Sequence, residues 1–489
     1  MRNVESRTRT LARGISILFC TFILLLSAFF ISPSSEVQAG RAVRGIIFFD
    51  TNWTLADSPI WVEGSILLPQ GVNLTIEPGV EIRFNGNYTI WVNGNFTSLG
   101  TSASKIVFRS NTTSPGHQDW FKIRANATSR FEVSHTDFEN AFTAVELMGR
   151  DGDSFTDLSF SNSFIGLAAL WSSDVSVTNS SFSDVYHGLK LTNSSNMVSG
   201  NKFTGGRIAT EISCNDVVRF CIDNVVERND FSNMEGGIYL RSVSQWTELS
   251  DNRISNNTFL DVDAPVAISN LLGASENNLV EYNSMESGGY GIFLAGTMNN
   301  TVQDNDITGF RESIGLYGAE ENLVTRNVLS RGLDGIVVRD TTQGNEITFN
   351  NIVSFNGCGI ALVQGTSGNV IHHNNLLDSD DNGCDPGTNN QWDNGYPSGG
   401  NFWSDYAGPD AFNGPNQDIP GADAIGDTPY DTRGSGRDNY PLLWMPFDNI
   451  PLTKLDIELT GQNFENVTVS WNLTWPNGNV SLNLSRFDV

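Results

Sequence analysis

The stretch NLVTRNVLSRGLDGIV, Asn322 to Val337, decides the fold. Asn comes back after five residues within it, and the phrase itself comes back some twenty-two residues later. Asn is a poor former of both helix and strand, so something other than local propensity asks for it here. The underlying pattern is Asn, any, Val/Ile, two of any kind, Asn, any, apolar. It starts at Asn196, Asn224, Asn252, Asn278, Asn300, Asn322, Asn345 and Asn369. The sixth position is Asn in every one of these copies, and the third is always aliphatic, as in Val302, Val324 and Ile347.

Between copies lies a second short run, as in Gly237-Ile238-Tyr239-Leu240 and Gly335-Ile336-Val337-Val338. Apolar residues at alternate positions in pieces this short indicate brief strands with one face inward. No stretch after residue 40 keeps a helical period. A coil of 22 to 28 residues cannot bury its inward face alone, but it can stack on a copy of itself at the strand spacing of about 4.8 Å. The expected fold is all-β, a parallel β-helix. Asn then has two expected uses: to hold left-handed backbone at the bends, and to hydrogen-bond its amide to the coil above. Successive intervals are 28, 28, 26, 22, 22, 23 and 24. Loops between Asn196 and Asn278 should therefore bulge from one side of the rod, and loops on a rigid scaffold are where binding usually resides.

Acidic residues outnumber basic ones 55 to 28. That excludes nucleic acid as a partner, because phosphate binding needs a basic face. Near the N-terminus Arg2, Arg7, Arg9 and Arg13 precede an apolar run from Ile15 to Ile31, and Val37-Gln38-Ala39 supplies small residues at alternate positions. This is the layout of an export signal, with the mature chain beginning near Gly40. An uncleaved anchor is the competing reading, and it would be the chain's one link to a membrane. Asn-x-Ser/Thr triplets such as Asn87-Tyr88-Thr89 offer glycosylation acceptors in an exported protein.

Three stretches resemble a known family. The repeat resembles the right-handed parallel β-helix repeats of NosD-like proteins, also grouped as carbohydrate-binding and sugar-hydrolysis β-helix domains. GVNLTIEPGVEIRF (Gly71 to Phe84) is similar to the first coils of secreted β-helix proteins. GNFWSDYAG (Gly400 to Gly408), AIGDTPY (Ala424 to Tyr430) and DNYPLLW (Asp438 to Trp444) resemble the family's closing segment. The resemblance implies a right-handed, pectate-lyase-like solenoid over 40–399 and a closing cap over 400–447. A leader or anchor over 1–39 precedes them, and a partial β-sandwich-like tail over 448–489 follows.

The mature cysteines suggest two disulfides. Cys358 and Cys384 are one coil plus a small loop apart, and Cys214 with Cys221 would close a small loop in one of the long coils. Copper, which the family's name includes, favours Cys, Met and His. The chain has five His, and the adjacent His372 and His373 would point to opposite faces of a strand, so the sequence does not support copper. The carboxylates Asp405, Asp410, Asp418, Asp423 and Asp427 are dense enough to make Ca²⁺ the candidate cofactor, without the ligand spacing of an EF-hand. Tyr239, Trp246 and Trp120 are candidates for stacking on sugar rings, beside Arg241 and Arg339, which follow the same run as GIYLR and GIVVR. The expected function is non-catalytic binding of polysaccharide or glycan, by a secreted or cell-surface protein. A polysaccharide lyase or glycoside hydrolase is one alternative, and would need carboxylates converging with an Arg or Lys. A structural or adhesive surface protein is the other.

Overall fold

The computed structural model describes residues 40–214, 220–242, 244, 246–270 and 274–446, and the backbone of strands within 455–484. The expected leader lies outside the described residues. Coil stacks on coil along one rod, as a right-handed parallel β-helix. Among the described residues the one helical turn is a 3₁₀ segment at Leu55–Asp57. One face is a sheet of 14 short strands, running from Thr51–Trp53 to Val370–His372. The other faces are wrapped by a parallel sheet of 23 strands, many of them long and bent, such as Asp230–Ser242 and Val328–Arg339. Register is strict. Val280 pairs with Val302, Val302 with Val324, Val324 with Ile347 and Ile347 with Ile371, and all are buried. A slip of one residue would turn this aliphatic column outward.

A second internal column is aromatic. Phe108, Phe138, Phe160, Phe182, Phe203, Phe231 and Phe259 stack in sequence, with ring centroids 4.6 to 5.2 Å apart. Met285, Ile307, Leu329, Ile352 and Leu376 continue it, and Trp403 ends it. The glycine opening the second run faces inward where coils approach most closely. A Cβ on Gly237 would lie 2.4 Å from the Pro265 carbonyl oxygen, and one on Gly335 would lie 2.3 Å from that of Gly359.

The two expected uses of Asn separate. The ladder exists: Asn305 donates its backbone N–H (3.1 Å) and its Nδ2 (2.9 Å) to Asn327 Oδ1, and Asn327 does the same to Asn350 at 3.0 and 3.0 Å. Most of the Nδ2 groups also reach back to a carbonyl of the preceding coil, as Asn327 does to Val302 at 2.9 Å. The left-handed residue, however, is the one before each ladder Asn: Asp223, Arg228, Asp251, Asn256, Asp304, Arg326 and Phe349 all have φ between 54° and 58°. The ladder positions are selected for their buried amide, and the bend tolerates many side chains because they project outward.

Cys214, Ser242 and Asn270, after which the long coils carry their extra residues, are successive members of one register row; most of those extra residues lie outside the described residues. Cys214–Cys221 and Cys358–Cys384 are disulfides, with Cα separations of 5.9 and 6.0 Å. Beyond Gly400 the rod gains a further rung. Phe402–Trp403 pairs with the strand Asn375–Leu377, and Arg433–Gly434 pairs with Asp381–Asp385. The backbone of Leu455–Thr460, Thr468–Trp475 and Gly478–Leu484 forms a three-stranded antiparallel sheet.

Candidate functional site

The outer face of the long bent strands carries a groove whose depth follows from residue size. On the coil Thr258–Asn270 the residues that line it are Ala264, Ala267 and Ser269. Register places Ala267 between Tyr239 and Phe293, and Ser269 between Arg241 and Ala295, next to Tyr317. Small side chains on one coil flanked by rings on its neighbours leave a concavity of about 560 Å³, lined by Tyr239, Arg241, Tyr290, Phe293 and Tyr317. Gly315, beside Phe293, leaves space for the Tyr317 ring, which meets Phe293 edge-on at 4.6 Å.

The two arginines at this groove are in different states. The Arg339 guanidinium sits 3.8 Å from the Tyr317 ring centroid and donates to both Glu312 oxygens at 2.7 Å, while the Tyr317 hydroxyl also binds Glu312. Its charge is neutralised. Arg241 lies 4.6 Å from the Tyr239 ring centroid and makes no ion pair among the described residues. Burial pushes the Tyr239 hydroxyl above its usual pKa, partly opposed by Arg241.

Along the same side runs an external aromatic stack of Phe121, Phe142, Phe164 and Tyr186, with successive centroids 5.3, 5.2 and 4.8 Å apart. Arg207 closes it, 5.3 Å from the Tyr186 centroid and paired with Glu235 at 3.1 Å. Nearby, His187 Nδ1 is 3.6 Å from Glu211, which also approaches Lys190 at 3.8 Å. Burial, then Lys190, holds the His187 imidazole below its usual pKa, so it is neutral at pH 7. The sequence reading missed these groups because these coils precede or only begin the Asn phrase. Their one signal was the 21- or 22-residue spacing of Phe121, Phe142, Phe164 and Tyr186.

The structure thus gathers Tyr239, Arg241 and Arg339 on one face. Trp246 is 67% exposed, but it stands at the corner formed by the extra residues and does not line the groove. Trp120 is corrected: it is fully buried, stacked on Phe84 at 4.4 Å, with Nε1 donating to the Glu139 carbonyl, so its ring cannot meet a sugar. Four of the five aspartates considered for calcium have other roles in the closing segment. Asp410 accepts the N–H groups of Asp423 and Ala424, Asp427 those of Ala411 and Phe412, and Asp423 that of Ile425. Asp405 accepts from Asn382 and Tyr430, and Asp418 is exposed. These carboxylates shape the turns of the closing segment separately and do not converge on one point. Among the described residues, the one group of three metal-type side chains whose ligand atoms all lie within 4.8 Å of one another, Cys358, Cys384 and Asp381, has its sulfurs joined in a disulfide.

Fold and groove together define a right-handed parallel β-helix with an aromatic, arginine-bearing cleft on one outer face. Within that class, the family model described as periplasmic copper-binding protein (NosD) matches residues 104–270 and 267–408, and the chain belongs to this family. No curated protein matches the chain. Among solved structures, the chain is similar to a tailspike protein of E. coli bacteriophage HK620, at 14% identity and a TM-score of 0.43, over 70% of this chain and 69% of that one. It is also similar to the periplasmic alginate epimerase AlgG, at 14% identity and a TM-score of 0.42, over 67% of this chain and 84% of that one. A third is the mannuronan C-5 epimerase AlgE6 A-module of Azotobacter vinelandii, at 15% identity and a TM-score of 0.33, over 72% and 89% respectively.

Proposed function

We propose that this protein works outside the cytoplasm and binds polysaccharide or glycan in the groove between Tyr239 and Tyr317, without altering it. The observation that carries this is the groove itself: rings on either side of a coil of small residues, with Arg241 at its edge in no ion pair among the described residues. Aromatic faces suit the apolar faces of sugars. In a chain of formal net charge −27, an arginine without a carboxylate partner is available to an acidic group on the ligand. Equivalent positions recur at every coil, which suits a repeating polymer. Of the carboxylates beside the groove, Glu312 is engaged by Arg339 and Asp334 by the backbone N–H of Cys358, while the exposed Asp263 acts on Tyr239 electrostatically. Two disulfides support an oxidising compartment, and no helix among the described residues is long and apolar enough to cross a membrane.

Affinity electrophoresis and glycan arrays with acidic and neutral polymers test the proposal. Tyr239→Ala and Phe293→Ala should each weaken retention about tenfold, the loss of one good ring contact, while the melting temperature stays near that of the wild type. Arg241→Gln should weaken acidic polymers selectively. Absence of retention, or equal retention by all variants, would sink the idea.

One observation favours a catalytic version of the same reading. Neutral His187 has no hydrogen-bond partner at its buried Nδ1, and Arg207 and Arg241 both act on it electrostatically. A neutral imidazole beside arginines could take the proton next to a sugar carboxylate. The result would be a lyase, whose unsaturated products from alginate or pectate would show it.

A further inference from the structure

The groove occupies one end of a longer face. Its Tyr239 belongs to an outward row that register carries back through Glu211, Lys190 and Glu146 to Arg124 and Trp91. Six register steps separate the two rings, about 29 Å at the strand spacing of about 4.8 Å. Trp91 is 37% exposed, and the Arg124 guanidinium lies 5.3 Å from its ring centroid. This pair repeats the design at the groove, where Tyr239 carries Arg241 at 4.6 Å and Tyr317 carries Arg339 at 3.8 Å. As with Tyr317 and Arg339, ring and cation share one row on adjacent coils.

The charge on this face runs against that of the chain. On its outward rows, from the Trp91 coil to the Tyr239 coil, stand four cations, Lys122, Arg124, Lys190 and Arg241, against two carboxylates, Glu146 and Glu211. Glu146 serves two cations at once, Lys122 Nζ at 2.6 Å and Arg124 Nε at 3.3 Å. Lys122 and Glu146 are buried together, which leaves Arg124 sharing a carboxylate already taken, with an Nε that makes no hydrogen bond. Glu211 lies 3.8 Å from Lys190. In a chain of formal net charge −27, this strip carries two positive charges in excess, spread along the rod axis. A ligand with repeated negative charge gains most by lying parallel to that axis.

Resting on the groove as the place where glycan binds, we propose that Trp91 and Arg124 form a second binding position, and that the ligand is a linear polysaccharide bearing carboxylates, laid along the rod from Trp91 to Tyr317. The Trp91 indole takes the apolar face of one sugar. Arg124, Lys190 and Arg241 take carboxylates in turn along the row. A stack of coils repeats its surface as a polymer repeats its units, so one ligand meets both positions without bending. Trp91 lies before residue 104, where the family match begins, so this end of the track belongs to the first coils of this chain.

The test titrates the full chain with oligogalacturonates of two lengths by calorimetry. A tetrasaccharide fills the groove but is too short to reach Trp91 from it, whereas a dodecasaccharide spans both positions. The longer ligand should bind at least about 100-fold more tightly, the gain from joining two positions on one polymer. Trp91→Ala should remove most of that gain, and Trp91→Phe should restore much of it, which separates a lost ring contact from a disturbed fold. Arg124→Gln should weaken the dodecasaccharide about tenfold and flatten its salt dependence. Equal affinity for the two lengths would overturn the track, as would dodecasaccharide binding by Trp91→Ala as tight as that of the wild type; in both cases the groove stands. Tetrasaccharide binding that ignores Tyr239→Ala would instead overturn the groove, and the track with it.

Discussion

Asn327→Ala is expected to lower the unfolding free energy by about 3–5 kcal/mol, a large effect for removing one small polar side chain. Asn327 accepts from the backbone N–H and the Nδ2 of Asn305, and donates to the Val302 and Thr325 carbonyls and to Asn350 Oδ1. It is fully buried. Alanine leaves the Asn305 backbone N–H with no acceptor and no water, at about 1–3 kcal/mol for each such group. It also removes the donor to Val302 and opens a gap between two coils. Asn327→Asp is the sharper variant, because the shape is kept and only the donors are lost. Its carboxyl would face the oxygens of Val302, Thr325 and Asn350. Burial and these acceptors would raise its folded pKa above the unfolded value. Its stability is therefore greatest below the unfolded carboxylate pKa and is lost as pH rises through the folded one. Urea unfolding of the three proteins at pH 4 and pH 8, followed by circular dichroism, measures both effects. A loss below about 1 kcal/mol for Asn327→Ala would mean that the amide column is ornament on a rod held by its aliphatics.

That column was the most legible part of the sequence, because burial between identical coils leaves one solution at each position. The same holds for Val302, Val324 and Ile347, whose registration follows from spacing alone. Arg241 and Arg339 could be placed on one face from sequence because they follow the same run after glycine, and a parallel stack turns shared position into shared face. What escaped was set by geometry between coils that differ. The Asn phrase does not say that its preceding residue takes the left-handed bend, since Asp, Arg, Phe and His all serve there. For that reason the His372 and His373 rings meet edge to face, against the alternation expected of a strand. Trp120 was misjudged because it precedes the first Asn copy and so had no register to reveal its inward face. Carboxylate density in the closing segment suggested calcium, whereas turns rich in Gly and Pro consume the same groups as acceptors for their N–H donors.

The end of the ladder carries the second large expectation. Each Asn donates to the next, so the last rung needs a group that only accepts. Both columns finish on aspartate. Asn390 Nδ2 donates to Asp385 at 3.0 Å, while Asn401 N–H and Trp403 Nε1 each donate to Asp438 at 2.8 Å, and Tyr440 N–H does so at 2.9 Å. Asp438 is fully buried, and that burial outweighs the three donors and raises its pKa to about 7 from 3.8. A raised folded pKa contributes stability that is complete below about pH 4 and is lost as pH rises through about 7. The interval is worth about 4 kcal/mol. The amide of Asp438→Asn is neutral at every pH and close in shape to the protonated acid. The variant should therefore match the wild type near pH 4 and exceed it increasingly up to pH 8, its melting temperature staying level while that of the wild type falls. The tryptophans Trp392 and Trp403, packed 5.6 Å apart beside the two aspartates, report the closing rung by fluorescence. Parallel melting curves for the two proteins from pH 5 to 8 would show instead that the three N–H donors prevail and that Asp438 stays ionised throughout. Asp438→Asn would then be destabilising at every pH, because its Nδ2 would be turned against one of those donors.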